Sequence, residues 1–324
     1  IYNPLDFYPV ARRAMRLIRP RAMVLVEAEV WPNGVCEAKS LGIPVLLVNA
    51  RLSPRSEKRF RKIRWIATPV FNQIDTLCLQ EPDDRERWLS LGIEPSKLEV
   101  TGSIKFDDSA AAPRPERDFR PALEALGVSR DRPVIVAGST FEGEELLLAE
   151  VYRELQKKHT DLFLILVPRH QERADGIVSQ LEQNGFLVAR RTQPGLVEKP
   201  DLLLVDTTGE LSNWYRCATA VFIGKSLMAT GGQNPAEAVT AGVPVVFGPN
   251  MQNFASLVSL FLKAKAAIEV TDSGSLESAF DQLLLSPELR QSMTKAATEC
   301  LEIHRGATRR TISLLQRLLH QTTL

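Results

Sequence analysis

The chain has 324 residues, 40 Lys+Arg against 39 Asp+Glu, 44% apolar residues and four cysteines, a length that suggests about two domains. A formal net charge of +1 gives no global attraction for nucleic acid, so any basic surface is a local patch. Cys36, Cys78, Cys217 and Cys300 include no C-x-x-C pair, which argues against a zinc site or disulfide framework and fits a reducing compartment, and the apolar runs are strand-sized, short of the ~20 residues a membrane span needs.

The chain starts at Ile1 in mid-pattern, with no Met and no targeting signal, which points to an N-terminal portion outside this sequence. Met23 to Val26 reads as a buried strand, Pro32 to Leu41 as a helix stopped by Gly42, and Val45 to Val48 as the next strand. After the basic stretch Arg51 to Arg64 come a helical Thr68 to Ile74, strand Thr76 to Leu79, a helix from Asp83 to Leu91 and strand Glu99 to Thr101. That alternation predicts a parallel sheet.

Asp107 to Arg120, rich in Pro, Asp, Ala and Arg, reads as a linker. The second array runs through strand "RPVIVAGST", helix Glu144 to Lys157, strand "DLFLILVPRH", a helix to about Asn184, and strands "FLVAR" and "DLLLVD". Helix Gly209 to Cys217, strand "AVFIG", helix Pro235 to Ala241, strand "VPVVFG" and two or more terminal helices complete it. The expected organisation is a partial first domain with linker at 1–120, a nucleotide-binding domain at 121–305, and a terminal helix at 306–324 that packs back on the first. Two α/β domains with ligands at the carboxyl ends of their strands is the architecture this predicts.

The segment Gly224 to Pro249, "GKSLMATGGQNPAEAVTAGVPVVFGP", is the most informative. After Gly231-Gly232, Asn234 reads as an N-cap with Pro235 in the first helical position and Ala236 behind it. Such a start offers free N–H groups and a partial positive charge to an anion, and Glu237 is suited to vicinal hydroxyls such as those of a ribose. The plainer reading is an ordinary capped helix. Arg169, after Pro168, has the planar fork that suits phosphate, against a plain surface Arg. His170 is more often structural than a general base. Thr208-Gly209-Glu210 opens a helix whose N–H groups suit a base edge or phosphate, unless it is a simple cap.

Glu27 and Glu29 stand two apart at the end of a buried strand, where two carboxylates cannot both be buried in the core without partners. A carboxylate there is a catalytic or substrate-positioning candidate, with a salt bridge to Arg19 or Arg21 as the structural alternative. Lys105 in "TGSIKFD" follows a short strand and a Gly turn, from which its ammonium would reach an interdomain cleft. Two basic clusters, Arg12, Arg13, Arg16, Arg19 and Arg21, then Arg51, Arg55, Lys58, Arg59, Arg61, Lys62 and Arg64, are interleaved with Leu17, Ile18, Phe60, Ile63 and Trp65. That mixture suits an anionic membrane surface or a phosphorylated lipid better than nucleic acid.

Seven stretches, "VEAEVWPN", "VNARLSPRS", "VTGSIKFD", "GSTFEGEE", "VPRHQER", "DTTGEL" and "GGQNPAEA", resemble in order and spacing the bacterial 3-deoxy-D-manno-octulosonic acid (Kdo) transferases. The resemblance runs through nearly the whole chain. It implies an α/β fold of GT-B type, two Rossmann-like domains with a cleft between them, the first domain incomplete here. It implies an inverting, metal-independent glycosyltransferase with no cofactor, moving Kdo from CMP-Kdo to lipid IVA at the cytoplasmic face of the inner membrane. Pro168, Arg169, Thr208, Gly209, Glu210, Asn234, Pro235, Ala236 and Glu237 are then expected to bind CMP, and Glu27 and Lys105 to stabilise the transition state.

Two departures stand out. The resemblance implies an upstream membrane-associated helix and an "H-x-x-S-x-G-E" type motif whose Glu is the general base; neither is in this sequence, so these residues taken alone are expected not to transfer sugar. Gln233 also stands where the family usually has His, and Thr207-Thr208 where Thr-Met is usual, which leaves nucleotide binding expected but donor contacts altered. The rival readings are a nucleotide-sugar epimerase of the same architecture and a catalytically incomplete nucleotide-sugar-binding module.

Overall fold

Val45–Ala50 and Phe163–Pro168 are buried along their whole length, and a strand apolar on both faces is stable only where both faces are covered. The computed structural model describes residues 5–27, 29–52, 54–107, 117–193, 195 and 197–321. The chain divides into two units, Ile1–Pro113 with Glu302–Leu324, and Arg114–Leu301.

In the first unit α1 (Tyr8–Ile18), β1 (Met23–Val26), α2 (Pro32–Ser40), β2 (Val45–Ala50), α3 (Pro54–Lys62), α4 (Arg64–Phe71), β3 (Thr76–Leu79), α5 (Pro82–Ser90) and β4 (Leu98–Val100) follow one another. The four strands pair in parallel in chain order, as the alternation predicts. The basic stretch left unassigned is largely helix α3. Helix α4 starts at Arg64 rather than Thr68 and keeps Pro69 inside it, although Pro favours a helix start.

The second unit holds α6 (Arg120–Glu124), β5 (Val134–Thr140), α7 (Glu144–Gln156), β6 (Phe163–Pro168), α8 (Ala174–Gln183), β7 (Val188–Arg190) and β8 (Leu202–Leu204). It continues through α9 (Leu211–Tyr215), β9 (Ala220–Ile223), α10 (Ala236–Thr240), β10 (Val245–Phe247), α11 (Ala255–Lys263), β11 (Ala267–Glu269), α12 (Ser273–Leu285) and α13 (Pro287–Glu302). Its seven strands form one sheet in the order β11-β10-β9-β5-β6-β8-β7, paired in parallel throughout. All its strands therefore end on one edge. The three-residue β11 was not foreseen, because Ala-Ile-Glu carries no strand period of its own.

Period two sorts the first sheet's side chains onto two covers. Val45, Leu47, Leu77 and Leu79 join Val35, Phe71 and Trp88 in one cluster. Leu46, Val48 and Cys78 face the other way and meet Leu314, Leu315 and Leu318 of α14 (Ala307–Gln321). The end of the chain thus supplies the second cover.

The entry to α14 is tied to the segment after β4. Asp107 accepts from the N–H groups of Gly306 at 2.8 Å and Thr308 at 2.7 Å, capping the helix start as an acid does best. Arg310 donates to the Thr101 carbonyl at 2.9 Å, and Ser103 N–H donates to His304 Nδ1 at 3.1 Å. Gly102, at φ 81°, lies so close that a Cβ would fall 2.7 Å from the Ile303 oxygen, so only glycine fits. Of the expected linker, residues 108–116 lie outside the described residues and the division between the units falls within it; at its described ends Asp107 is a buried cap, and Arg120 opens α6 behind a buried Phe119 that stacks on Trp214 at 4.4 Å. Composition alone does not separate a capping Asp from a linker Asp.

Buried His304 faces Glu81, with Nε2 3.3 Å from its carboxylate. Burial, then the charges of Asp84 and Asp83, raises Glu81 from 4.5 to about 7; burial, then Arg310, lowers His304 from 6.5 to about 4. A raised carboxylate contributes stability that is full below its unfolded value and lost as pH rises through the folded one, whereas the lowered histidine destabilises the fold as pH falls from 6.5 through 4. The two windows overlap, so between about pH 4.5 and about pH 6.5 the two contributions oppose and largely cancel each other. Glu81→Gln, which removes the carboxylate's loss and leaves the histidine's, is expected to make the melting temperature rise with pH between about pH 4.5 and about pH 6.5, as followed by differential scanning calorimetry.

Candidate functional site

In the second unit the carboxyl edge of the sheet is organised by a carboxylate. Glu144, at the start of α7, is fully buried. Its oxygens accept from the N–H groups of Phe141 at 2.9 Å, Lys225 at 2.7 Å, Ser226 at 3.0 Å and Leu227 at 3.1 Å. The loop after β5 and the loop after β9 are thereby clasped together. Their close approach needs glycine at Gly224, where a Cβ would lie 2.3 Å from the Ser139 oxygen. The neighbouring Glu145 accepts from Thr140 Oγ1 at 2.9 Å and takes a two-pronged contact from Arg173 at 3.1 and 3.2 Å; burial nonetheless pushes its carboxyl up.

The expected nucleotide-binding residues all stand on this edge. Pro168 closes β6 opposite Thr140, and Arg169 N–H donates to the Thr140 carbonyl at 3.1 Å. The Arg169 side chain is exposed, as a phosphate-seeking guanidinium must be. His170 is also exposed, meeting Phe141 edge-on at 5.4 Å and Glu172 at 3.3 Å, an arrangement for a packing residue rather than a buried base. Thr208 and Gly209 are exposed before α9, with Gly209 at φ 80°. Glu210 is tied down, accepting from Thr207 Oγ1 at 2.6 Å and Arg191 Nε at 3.2 Å.

At α10 the capping bond is present: Asn234 Oδ1 accepts from Ala236 N–H at 3.0 Å. Pro235 has helical dihedrals and is buried with Ala236. The bond corrects one expectation, because the Ala236 N–H is already satisfied and is not a free donor for an anion. Glu237 is half-buried on α10, which packs against α9. Burial, then the Glu237 charge, raises the Tyr215 phenol.

In the first unit the structure joins Glu27 and Lys105 as an ion pair, at the carboxyl ends of β1 and β4. Glu27 takes φ 60°, unusual for any residue but glycine. Neither Arg19 nor Arg21 pairs with it among the described residues. Both partners of the Glu27–Lys105 pair are roughly half exposed, and such pairs contribute about 0–1 kcal/mol to stability. A bridge of that kind is free to open toward a ligand. Lys105 is steered there by Asn49, whose Oδ1 accepts from Ile104 N–H at 3.0 Å, and by the Ser103–His304 contact. Glu29 is exposed and joins no described cluster.

Sequence reasoning missed Glu144 as the clasp; its only local sign is the run of turn residues "FEGEE" before an apolar helix. It also missed Lys225 and Asn49, which, like Ser139 and Glu27, take positive φ at or just beyond strand ends. Among the described residues no group of three or more His, Cys, Asp or Glu is arranged to hold a metal ion.

Two parallel α/β sheets, each with candidate site residues at the carboxyl ends of its strands, make this a protein with two Rossmann-like domains, of the GT-B class of glycosyltransferase folds. Residues 1–108 match the family described as 3-deoxy-D-manno-octulosonic-acid transferase (kdotransferase). The chain is 32% identical over 324 residues to the 3-deoxy-D-manno-octulosonic acid transferase of Haemophilus influenzae, covering 99% of this chain and 75% of that protein. It is 35% identical over 321 residues to that of Bordetella pertussis, covering 97% and 73%. The crystal structure of the C-terminal CMP-Kdo binding domain of WaaA from Acinetobacter baumannii is similar at 27% identity and a TM-score of 0.52, over 55% of this chain and 93% of that one. The chain belongs to the 3-deoxy-D-manno-octulosonic acid transferase family.

Removing the Glu144 carboxylate leaves four backbone donors at the strand ends without an acceptor. Glu144→Ala is expected to cost about 3 kcal/mol or more of unfolding free energy, read from urea denaturation. Glu144→Gln, which keeps one acceptor oxygen, should cost less.

Proposed function

We propose that this protein transfers Kdo from CMP-Kdo to lipid IVA, the lipid A precursor, with inversion at the anomeric carbon and without a metal or other cofactor. The observation that carries the donor assignment is the likeness of the chain to the CMP-Kdo binding domain, at an identity above that of fold alone. Membership in the transferase family sets the epimerase reading aside. Arg169 serves the phosphate as a paired donor, and Glu237 the ribose hydroxyls. Thr208, Gly209 and Asn234 line the nucleotide, with Glu210 held in place by Arg191 and Pro235 and Ala236 fixing the loop.

In the reaction the acceptor hydroxyl oxygen bonds to the anomeric carbon as the bond from that carbon to the phosphate oxygen breaks, and CMP leaves with the electron pair. The acceptor proton passes to a general base. Fixed positive charge offsets the charge that develops on the leaving phosphate. Lys105 holds an anionic group of the reactants, and Glu27 orients that ammonium and favours the oxocarbenium-like centre. In the full-length protein, Glu27→Gln and Lys105→Ala are expected to lower kcat by about 100-fold or more, as for other groups that stabilise a transition state, with CMP affinity within a few-fold of wild type. Steady-state kinetics beside calorimetric titration with CMP separates the two, and an unchanged kcat overturns the roles.

The acceptor is a phosphorylated lipid, and the first unit carries surface of matching chemistry. Trp65 is 78% exposed beside exposed Ile63 and Ile66, with Arg61, Lys62 and Arg64 around them. On α1, Phe7, Tyr8, Leu17 and Ile18 are exposed as well. Part of the basic cluster is structural, since Arg12 and Arg16 flank buried Glu37 at 3.9 and 3.7 Å. No described helix is long and apolar enough to cross a membrane. Basic residues, worth about 1 kcal/mol each near an anionic surface, support peripheral attachment at the cytoplasmic face of the inner membrane. Trp65→Ser with Lys62→Ala is expected to weaken binding to phosphatidylglycerol vesicles about tenfold or more in a sedimentation assay, and to leave binding to neutral phosphatidylcholine low throughout.

A further inference from the structure

The strand order of the second sheet reverses at β5, because β6 follows on one side of it and β9 lies on the other. The carboxyl ends of the strands at such a switch point are where open parallel sheets take ligands, and here the loops after β5 and β9 are held together there by Glu144. Lys225 stands in that place. It is the second residue beyond β9 and is half-buried, with φ at 58°, a conformation that costs every residue but glycine. A long cationic side chain held there against its backbone preference is the mark of a residue kept for what it contacts.

Its ammonium lies 4.7 Å from the centre of the Phe141 ring, on the loop after β5. Phe141 meets His170, the neighbour of Arg169, at 5.4 Å, so the loops after β9, β5 and β6 converge around this ring. No carboxylate pairs with Lys225 Nζ among the described residues. The nearby Glu144 is saturated by the N–H groups of Phe141, Lys225, Ser226 and Leu227. An ammonium on a π face, without a counter-ion and at such a switch point, is an open place for an anion.

We infer that Lys225 binds an anionic oxygen of the donor, phosphate or sugar carboxylate, alongside Arg169, and so sets donor affinity; this rests on the nucleotide-sugar reading of the same unit. Glycine adopts φ 58° without strain, so Lys225→Gly removes the charge and is expected to melt at or above the wild-type temperature. The full-length protein and this variant are titrated with CMP, cytidine and UMP, and KM for CMP-Kdo is measured. Loss of one charge-assisted contact is expected to weaken CMP about tenfold with cytidine unchanged, which assigns the phosphate, and Lys225→Arg should restore it. CMP affinity unchanged with KM for CMP-Kdo raised about tenfold assigns the sugar carboxylate. Unchanged affinity and KM, or an equal loss for CMP and cytidine, overturns the inference. Binding of UMP in preference to CMP, still dependent on Lys225, overturns the cytidylate reading and leaves this inference standing; a wild-type protein that binds neither overturns both.

Discussion

The geometry of the donor-side unit depends on one buried carboxylate. Glu144 brings together backbone N–H groups from the loops after β5 and β9, and without it those donors would be shut away from water with no acceptor, a cost of about 1–3 kcal/mol for each such group. Because the clasp is fully hydrogen-bonded, it can hold Ser139 and Lys225 at positive φ on either side of it. Around it the backbones approach so closely that Gly224 and Gly248 admit no side chain, a Cβ at the latter falling 2.2 Å from the Ser226 oxygen. Ser226 Oγ in turn accepts from Gly248 N–H at 2.8 Å, extending the lock to the end of β10. Arg169, Phe141 and Lys225 owe their positions to this scaffold.

The first unit reaches the same end by another route. Its strand-end segment Thr101–Asp107 has no equivalent of Glu144 and is held by the far end of the chain, through Asp107 on the start of α14, Arg310 on Thr101 and His304 on Ser103. The helix that covers the second face of β2 and β3 is thus also the helix that positions Lys105. Packing and site geometry are coupled there, and the titrations of Glu81 and His304 bear on both.

A third regularity links the units. Of the seven non-glycine residues with positive φ among the described residues, Glu27, Asn49, Ser139 and Lys225 lie at or just past strand ends. Each such residue costs on the order of 1–3 kcal/mol and persists only where surroundings enforce it. The other three, Arg19, Lys199 and Lys265, lie away from the carboxyl ends of the strands. Fixed cations and oriented donors at those ends are suited to a leaving phosphate, whose charge they meet without reorganisation.

Most strands and many helices were legible in the chain because their signals are local: short apolar runs at Met23–Val26 and Thr76–Leu79, turn glycines, a Pro-led helix at Pro32. The seven motifs carried the family for the same reason, each being a short strand-end loop whose residues are neighbours in sequence. What lay beyond that reading depends on residues remote in the chain: Asp107 as a cap, Glu210 drawn to Arg191, Lys225 set over Phe141, and α14 folded onto β2. No periodicity encodes those meetings. By itself the amino-acid order determined the alternating α/β plan and the loops that bear the chemistry; only the tertiary structure decided which side chains are bound to protein partners and which stand free, because burial and long-range pairing exist only once the sheets have formed.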